Sequence, residues 1–276
     1  ISYRLVGSEM CIRDSAVKQA GPYLPDKGKT LILYADVPLV TTGTLSKLIK
    51  SINRKKISIL TSKIKDPKGY GRIIRDKKMN PLNIREETDA SKQEKTINEI
   101  FTGIMVVDNE FLKNGLKGLL RNNKAGEYYL TDLVEYASKR KLPVGSTEAK
   151  ELEVLGANNK KELEDLYKAM VTLNIDAAKK RGTFFKDTST CYVEGILKVG
   201  KDVSIGNNVT IKGNVTLGNN VSIGSNVILS NTTIGANSTI KEFCSIEDST
   251  IAKNVLVGPF ARLRNGSVLD NFAKVG

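Results

Sequence analysis

The sequence predicts two successive architectures, an α/β unit with a mostly parallel sheet and then a parallel β-helix. Two observations carry this. Up to about residue 157, apolar strand-like runs alternate with helix-like segments, the grammar of strands joined by crossover helices. From Val199 onward an aliphatic residue recurs every six residues, a period that neither a helix nor an ordinary sheet produces.

In the first part, TLILYADV (30–37), ISILTSKI (57–64) and TGIMVVD (102–108) read as strands. TGTLSKLIKSINR (42–54) and YLTDLVEYASKRK (129–141) read as helices. In open α/β sheets ligands bind beyond the carboxyl ends of the strands, and Asp36 falls at such an end. A carboxylate there suits Mg²⁺ held against a phosphate, although a lone Asp also suits a turn or an N-cap. The Gly69-Tyr70-Gly71-Arg72 stretch allows close backbone approach to a ligand, or is an ordinary turn. Glu86, in Ile84-Arg85-Glu86-Glu87, suits sugar hydroxyls or a solvated charged face. Residues 126–132, Gly-Glu-Tyr-Tyr-Leu-Thr-Asp, open a helix with polar groups that could line a pocket. Asn158, in Gly156-Ala157-Asn158-Asn159, stands where an N-cap is the default role.

A connecting helix is expected within 158–182. Leu163, Leu166, Tyr167, Met170 and Leu173 keep helical spacing, and Gly182 can end it. Beyond it the hexads run Val199, Ile205, Ile211, Leu217, Ile223, Leu229, Ile234, Ile240, Ile246, Ile251, Val257, Leu263, Leu269 and Val275. Two steps, 229–234 and 246–251, are one residue short. A second position, Val203, Val209, Val215, Val221 and Val227, follows four residues after the first. Three hexads make a triangular coil, with aliphatics inside and Asn or Gly at the corners. Such coils resemble left-handed β-helices, which commonly trimerise. The hexad begun at Val275 is unfinished at Gly276, which reads as a fragment with an open end.

Lys and Arg number 43 against 30 Asp and Glu, a net charge of +13. The lysines are scattered among acids, so a Lys-rich soluble protein accounts for the charge better than a nucleic-acid binder, and attraction of phosphorylated substrates is an intermediate reading. No partner nucleic acid or membrane is expected, since no apolar run approaches the ~18 residues of a membrane span. The chain has no histidine, which excludes histidine general-base chemistry within it. Its three cysteines, Cys11, Cys191 and Cys244, are far apart, favouring reduced thiols in a cytoplasm over disulfides or zinc.

LYADVPL, DPKGYGRI, EIFTGIM, GEYYLTD and ELEVLGANNKKEL occur in this order, with GPFARLRNG (258–266) in the hexapeptide part. As a set they closely resemble the bacterial bifunctional N-acetylglucosamine-1-phosphate uridyltransferase / glucosamine-1-phosphate N-acetyltransferase family, over about residues 16–276. The resemblance implies a Rossmann-like nucleotidyltransferase domain followed by a left-handed β-helix acetyltransferase domain, both incomplete here. The expected division is 16–157, a linker helix 158–182, and 183–276; residues 1–15 carry none of the resemblance and read as an artefact or an unrelated segment.

It further implies uridylyl transfer from UTP to N-acetylglucosamine 1-phosphate, with acetyl-CoA as co-substrate for acetylation of glucosamine 1-phosphate in the intact protein. The product, UDP-N-acetylglucosamine, would feed the cell envelope. By motif match, Asp36 and Asn158 are the Mg²⁺ ligands. Tyr34 and Ala35 flank Asp36 in the pocket-lining segment, and Gly71, Glu86 and Thr131 contact the substrate. Arg264 matches a phosphate-binding arginine of the acetyltransferase site, a role that suits a guanidinium fork.

Departures follow. Phe101 stands where the family has Asn, which bears on sugar recognition, and Asn265 stands where it has Pro. The family's glycine-rich phosphate loop does not occur in this sequence, and its acetyltransferase base would lie past Gly276, so the chain itself is expected to be inactive. Two alternatives remain: another sugar-1-phosphate nucleotidyltransferase, and a non-catalytic β-helix trimerisation module.

Overall fold

A computed structural model describes residue 17 and residues 19–118, 129–157 and 159–276. The chain divides into two compact units, Ile1–Asn158 and Asn159–Gly276.

The first unit is built on a six-stranded sheet ordered β4-β3-β5-β2-β6, with β1 also paired to β5. The strands are β1 (Lys29–Ile32), β2 (Ile57–Lys63), β3 (Arg72–Arg75), β4 (Pro81–Arg85), β5 (Glu99–Asp108) and β6 (Val144–Ala149). The helices are α1 (Thr42–Ser51), α2 (Asn109–Gly118), α3 (Asp132–Lys139) and the single turn α4 (Glu151–Val154). Strands β2 and β5 are buried along almost their whole length, because both faces of the sheet are covered. On one face Ile57, Ile59, Met105 and Val107 pack with Phe111, Leu112, Leu133 and Val134 of α2 and α3. On the other, Leu60, Ile104 and Val106 pack with Leu48 and Ile52 of the α1 segment.

The mostly parallel sheet expected from the sequence is corrected. Among the described residues of this unit only β2 and β6 pair in parallel; β1–β5, β2–β5, β3–β4 and β3–β5 are antiparallel. For β3 and β4 the cause is connection length. A parallel pair needs a crossover of about a dozen residues or more, whereas β3 and β4 join by a tight turn closed by Asp76. Their charged sequences, RIIR and PLNIR, lack the apolar run that marks a buried strand. The strand expected over 30–37 is also shorter. It ends at Ile32, opposite Met105, and Asp36 lies in a turn four residues further on.

That early end follows from a break in β5. Ile59 pairs with Met105 but Thr61 pairs with Phe101, so β5 carries two extra residues at Thr102–Ile104. The Thr102 hydroxyl takes over the missing ladder bond, donating to the Leu60 carbonyl at 2.9 Å. Gly103 has φ +82, and a Cβ there would fall inside the Tyr34 ring. Strand β1 therefore lines the end of β5 beyond the bulge, and β3 lines its beginning.

In the second unit the helix α5 (Lys160–Lys179) is capped by Asn159, whose side chain accepts from the Glu162 N–H at 2.9 Å. Val171, Ile175 and Ala178 pack into the same core as Phe185, Cys191 and Val193 of the first coil. Behind it runs a parallel β-helix of the left-handed kind, over residues 184–275. Its sheets pair each coil with the one 17 or 18 residues on, as Thr210 with Tyr192 and Thr233 with Thr216. The predicted hexad aliphatics point inward: Ile205, Ile211, Leu217, Ile223, Leu229, Ile234, Ile240, Ile246, Ile251 and Val257 are all buried. The two short steps, 229–234 and 246–251, lie on adjacent coils, so the shortened corner stacks on itself.

The corners require left-handed backbone. Asn208, Asn220, Asn226, Asn237 and Asn254 have φ between 54 and 60. Asn tolerates this region because its short amide can bond locally. Here the amides also bond along the stack, Asn208 Nδ2 to Asn226 Oδ1 at 3.1 Å and Asn220 Nδ2 to Asn237 Oδ1 at 3.0 Å. Among the described residues no helix is long and apolar enough to cross a membrane.

Replacing Asn220 by valine is expected to destabilise the β-helix by about 1–2 kcal/mol, the cost of φ > 0 for a β-branched residue, while glycine should cost less. Urea unfolding of the two variants checks this; equal midpoints would show that the corner backbone is not the constraint.

Candidate functional site

The expected site residues lie on four separate stretches of the first unit. The loop after β1 carries Tyr34, Ala35 and Asp36, with the Tyr34 ring over Gly103. The turn before β3 carries Gly71. The chain leaving β4 carries Glu86, and the start of α3 carries Thr131.

Gly71 and Glu86 meet because β3 and β4 form a hairpin in which Ile73 pairs with Ile84. Positions 71, 73, 84 and 86 then share one face of the sheet. A Cβ on Gly71 would lie 2.8 Å from Ile84 Cγ2, closer than a side chain permits, and 3.4 Å from Glu86 Oε2, in ordinary contact with that carboxylate. The Gly71 carbonyl accepts the Phe101 N–H at 2.8 Å. Thr131, 6% exposed, donates its hydroxyl to Glu86 Oε1 at 2.9 Å. The Glu86 carbonyl in turn accepts the Asp89 and Ala90 N–H groups. Glu86 is thus held in place by a neighbour and does not belong to a solvated charged face.

The next carboxylate faces the other way. Glu87 pairs with the buried Arg72 at 2.8 Å and accepts the Gly69 N–H at 3.3 Å. Burial pushes the Glu87 carboxyl up, but the hydrogen bonds from Arg72, Lys95 and Gly69 outweigh it and hold it below the usual carboxylate range. Asp132, next to Thr131, goes the opposite direction: burial and then the Glu135 charge raise it to about 6, with Asp89 adding and Arg85 opposing. The sequence reading singled out neither Arg72 nor Glu87 as functional. The signal was present, since consecutive residues beside a strand point to opposite faces, and so Glu86 and Glu87 could not share one role.

Asp36 is approached from the end of the unit. Ala157 donates its N–H to the Asp36 carbonyl at 3.1 Å. A Cβ on Gly156 would sit 3.3 Å from that carbonyl, so the glycine lets the two stretches pass closely beside Asp36. Asn158, the second expected ligand, lies outside the described residues, as do residues 126–128 of the GEYYLTD stretch. Among the described residues there is no cluster of three or more His, Cys, Asp or Glu that could hold a metal alone. Phe101, 6% exposed, joins the core with Ile73, Ile84 and Leu130. Arg264 belongs to the second unit, exposed just after the strand Arg262–Leu263, and its carbonyl accepts the Ser267 hydroxyl at 2.6 Å.

The bifunctional protein GlmU of Nitrosomonas europaea is 43% identical over 263 residues, 95% of this chain and 57% of that protein. Those of Idiomarina loihiensis and Paraburkholderia xenovorans are 38% and 40% identical, each over 95% of this chain and 58% of the relative. This similarity runs over nearly all of the chain's length. It spans a little over half the length of these GlmU relatives. The GMPPB C-terminal domain family matches residues 193–276, within the β-helix. A crystal structure from Bacillus anthracis, described as a glucose-1-phosphate thymidylyltransferase in complex with a sucrose, shares 15% identity with a TM-score of 0.43, over 56% of this chain and 59% of that one.

Two outcomes test this geometry. Thr131→Val removes the hydroxyl bonded to the Glu86 carboxylate and is expected to cost the first unit about 1–3 kcal/mol in denaturant unfolding. Asp132 has a folded pKa raised to about 6, above its usual value, so the native state binds the extra proton and stability falls as pH rises through that range. Asp132→Asn should raise the thermal midpoint at pH 8, and the gain should vanish below about pH 4.

Proposed function

We propose that this chain serves UDP-N-acetylglucosamine synthesis, as the uridyltransferase region and part of the acetyltransferase region of a bifunctional enzyme. In the first reaction a phosphate oxygen of N-acetylglucosamine 1-phosphate attacks the α-phosphorus of UTP, and pyrophosphate leaves. Such transfer depends on positioning and charge neutralisation more than on a covalent catalyst. In the second, the whole protein would move an acetyl group from acetyl-CoA to glucosamine 1-phosphate, with Arg264 holding the phosphate. The β-helix suits assembly into a homotrimer, and a cytoplasmic location suits the substrates.

The observation that carries the reading is the meeting of Gly71, Glu86 and Thr131 on one edge of the sheet, with Asp36 in the adjacent loop. Glu86 would accept sugar hydroxyls, with Thr131 fixing its orientation. The Gly71 backbone would line the sugar, and Tyr34 and Ala35 would border the nucleotide-sugar pocket. A carboxylate such as that of Asp36 suits Mg²⁺, which is commonly bound by one or two carboxylates together with substrate phosphates. Asp36 would hold the ion, with Asn158 as its second ligand. When bound, the ion supplies positive charge to the transferring phosphate.

Phe101 favours a second reading within the same chemistry. Its ring lies in the core beside Ile84 and offers no amide to an acetamido group, which suits glucose 1-phosphate as well.

Thermal stabilisation separates these readings. UDP-N-acetylglucosamine at about 100 times its Kd should stabilise by about 2.7 kcal/mol, dependent on Mg²⁺. The effect should disappear in Asp36→Ala and weaken in Glu86→Gln. Equal stabilisation by UDP-glucose would favour the second reading, and none by either sugar nucleotide would favour a structural module.

A further inference from the structure

Arg72 is an expensive residue to bury. It is 2% exposed, and its guanidinium is incompletely satisfied. Nη1 donates to the Tyr70 carbonyl, and Nη2 pairs with Glu87 Oε2 at 2.8 Å. Nε has no hydrogen-bond partner among the described residues. A buried ion pair is weak support for stability, because apolar side chains of similar volume often do as well or better. An orphaned buried donor adds to the cost and calls for an explanation.

What the pair does is geometric. Tyr70 precedes Gly71 and Glu87 follows Glu86, so the guanidinium spans the backs of the two residues assigned to the sugar. Glu87 extends the link: Oε2 also takes the Gly69 N–H, at φ +84, and Oε1 pairs with Lys95 at 3.4 Å. One carboxylate therefore ties the glycine turn, the start of β3 and the 3₁₀ turn Glu94–Thr96 to the segment that presents Glu86. The planar fork of arginine suits this task because it reaches a carbonyl and a carboxylate in fixed directions, which an ammonium group cannot do.

We propose that Arg72 is a positioning residue, whose buried pair with Glu87 sets the spacing between Gly71 and Glu86 and thereby selects the sugar half of the nucleotide sugar. The selection rests on the function proposed above; the spacing does not.

The test uses the Arg72→Met/Glu87→Leu variant, which keeps side-chain volume in place of charge, with Arg72→Lys as the second variant. The reporters are thermal midpoint, amide exchange of Phe101, whose N–H is held by the Gly71 carbonyl, and affinity for UDP-N-acetylglucosamine against UDP. The double variant should keep the wild-type midpoint while Phe101 exchanges about tenfold faster. It should bind UDP-N-acetylglucosamine about tenfold more weakly and UDP within about twofold, a split that general loosening would not give. Arg72→Lys should show the same changes in smaller measure. Wild-type exchange at Phe101 in a folded double variant, or in Arg72→Lys if the double variant fails to fold, overturns the proposal, as does an equal loss of both ligands. If the unsubstituted chain binds no UDP-N-acetylglucosamine, the proposed function falls, and Phe101 exchange alone decides whether Arg72 sets the spacing.

Discussion

The Tyr34 ring lies where a side chain on residue 103 would have to be, and the first unit is arranged around that contact. Gly103 adopts a left-handed backbone that admits the ring, and the two extra residues of β5 absorb the shift in register. Because of the bulge, one edge of β5 is divided between β1 and β3. The chain leaving β1 must turn out at the division, and the chain entering β3 must come in there. Asp36 lies on the first of these and Gly71 on the second. A continuous ladder in place of the bulge would pair through this region and leave no room for either loop. The candidate site is a consequence of interrupted pairing, in keeping with the frequent placement of bulges beside functional sites.

The β-helix obeys a different constraint, and this is why it was so legible. Each coil lies on the one before, so every interior position repeats at the same depth and must be filled by a similar volume. The hexad aliphatics from Ile205 to Val257 were readable one by one because nothing outside the coil decides their burial. The second inward column was harder. It begins as valines and continues as Thr232, Ser238, Cys244 and Ser249, all buried. Polar side chains are tolerated there because backbone carbonyls lie within reach: Thr232 bonds Ser230, Ser238 bonds Ala252, and Ser249 bonds Glu247. A pattern search for apolar residues stops at such positions, although their volume still fits the stack.

In the first unit local pattern said less, because strand direction is set by partners distant in sequence. The runs at 57–64 and 102–108 were correctly read as strands, yet nothing within either says that they lie antiparallel. The same holds for β1, whose apolar residues continue to Leu33 and Tyr34 while its pairing stops at Ile32. The candidate site residues are marked by motifs, whereas their neighbours are visible only in contacts. Glu86 looked no different from Glu87 in sequence. One meets Thr131 and the other meets Arg72, and alternation along the chain separates them.

That separation bears on why the charged pair persists. Marginal stability makes a buried, partly unsatisfied guanidinium a costly thing to retain. Apolar packing could hold the hairpin of β3 and β4 together, since Ile73 and Ile84 already do so on the opposite face. Apolar contacts are non-directional, however, and tolerate small slips between the segments they join. A guanidinium between a carbonyl and a carboxylate does not, because its bonds weaken steeply with angle. The two faces of the hairpin therefore divide the work. The isoleucines keep the strands together, and Arg72 with Glu87 fixes where the turn and the Glu86 segment stop relative to each other.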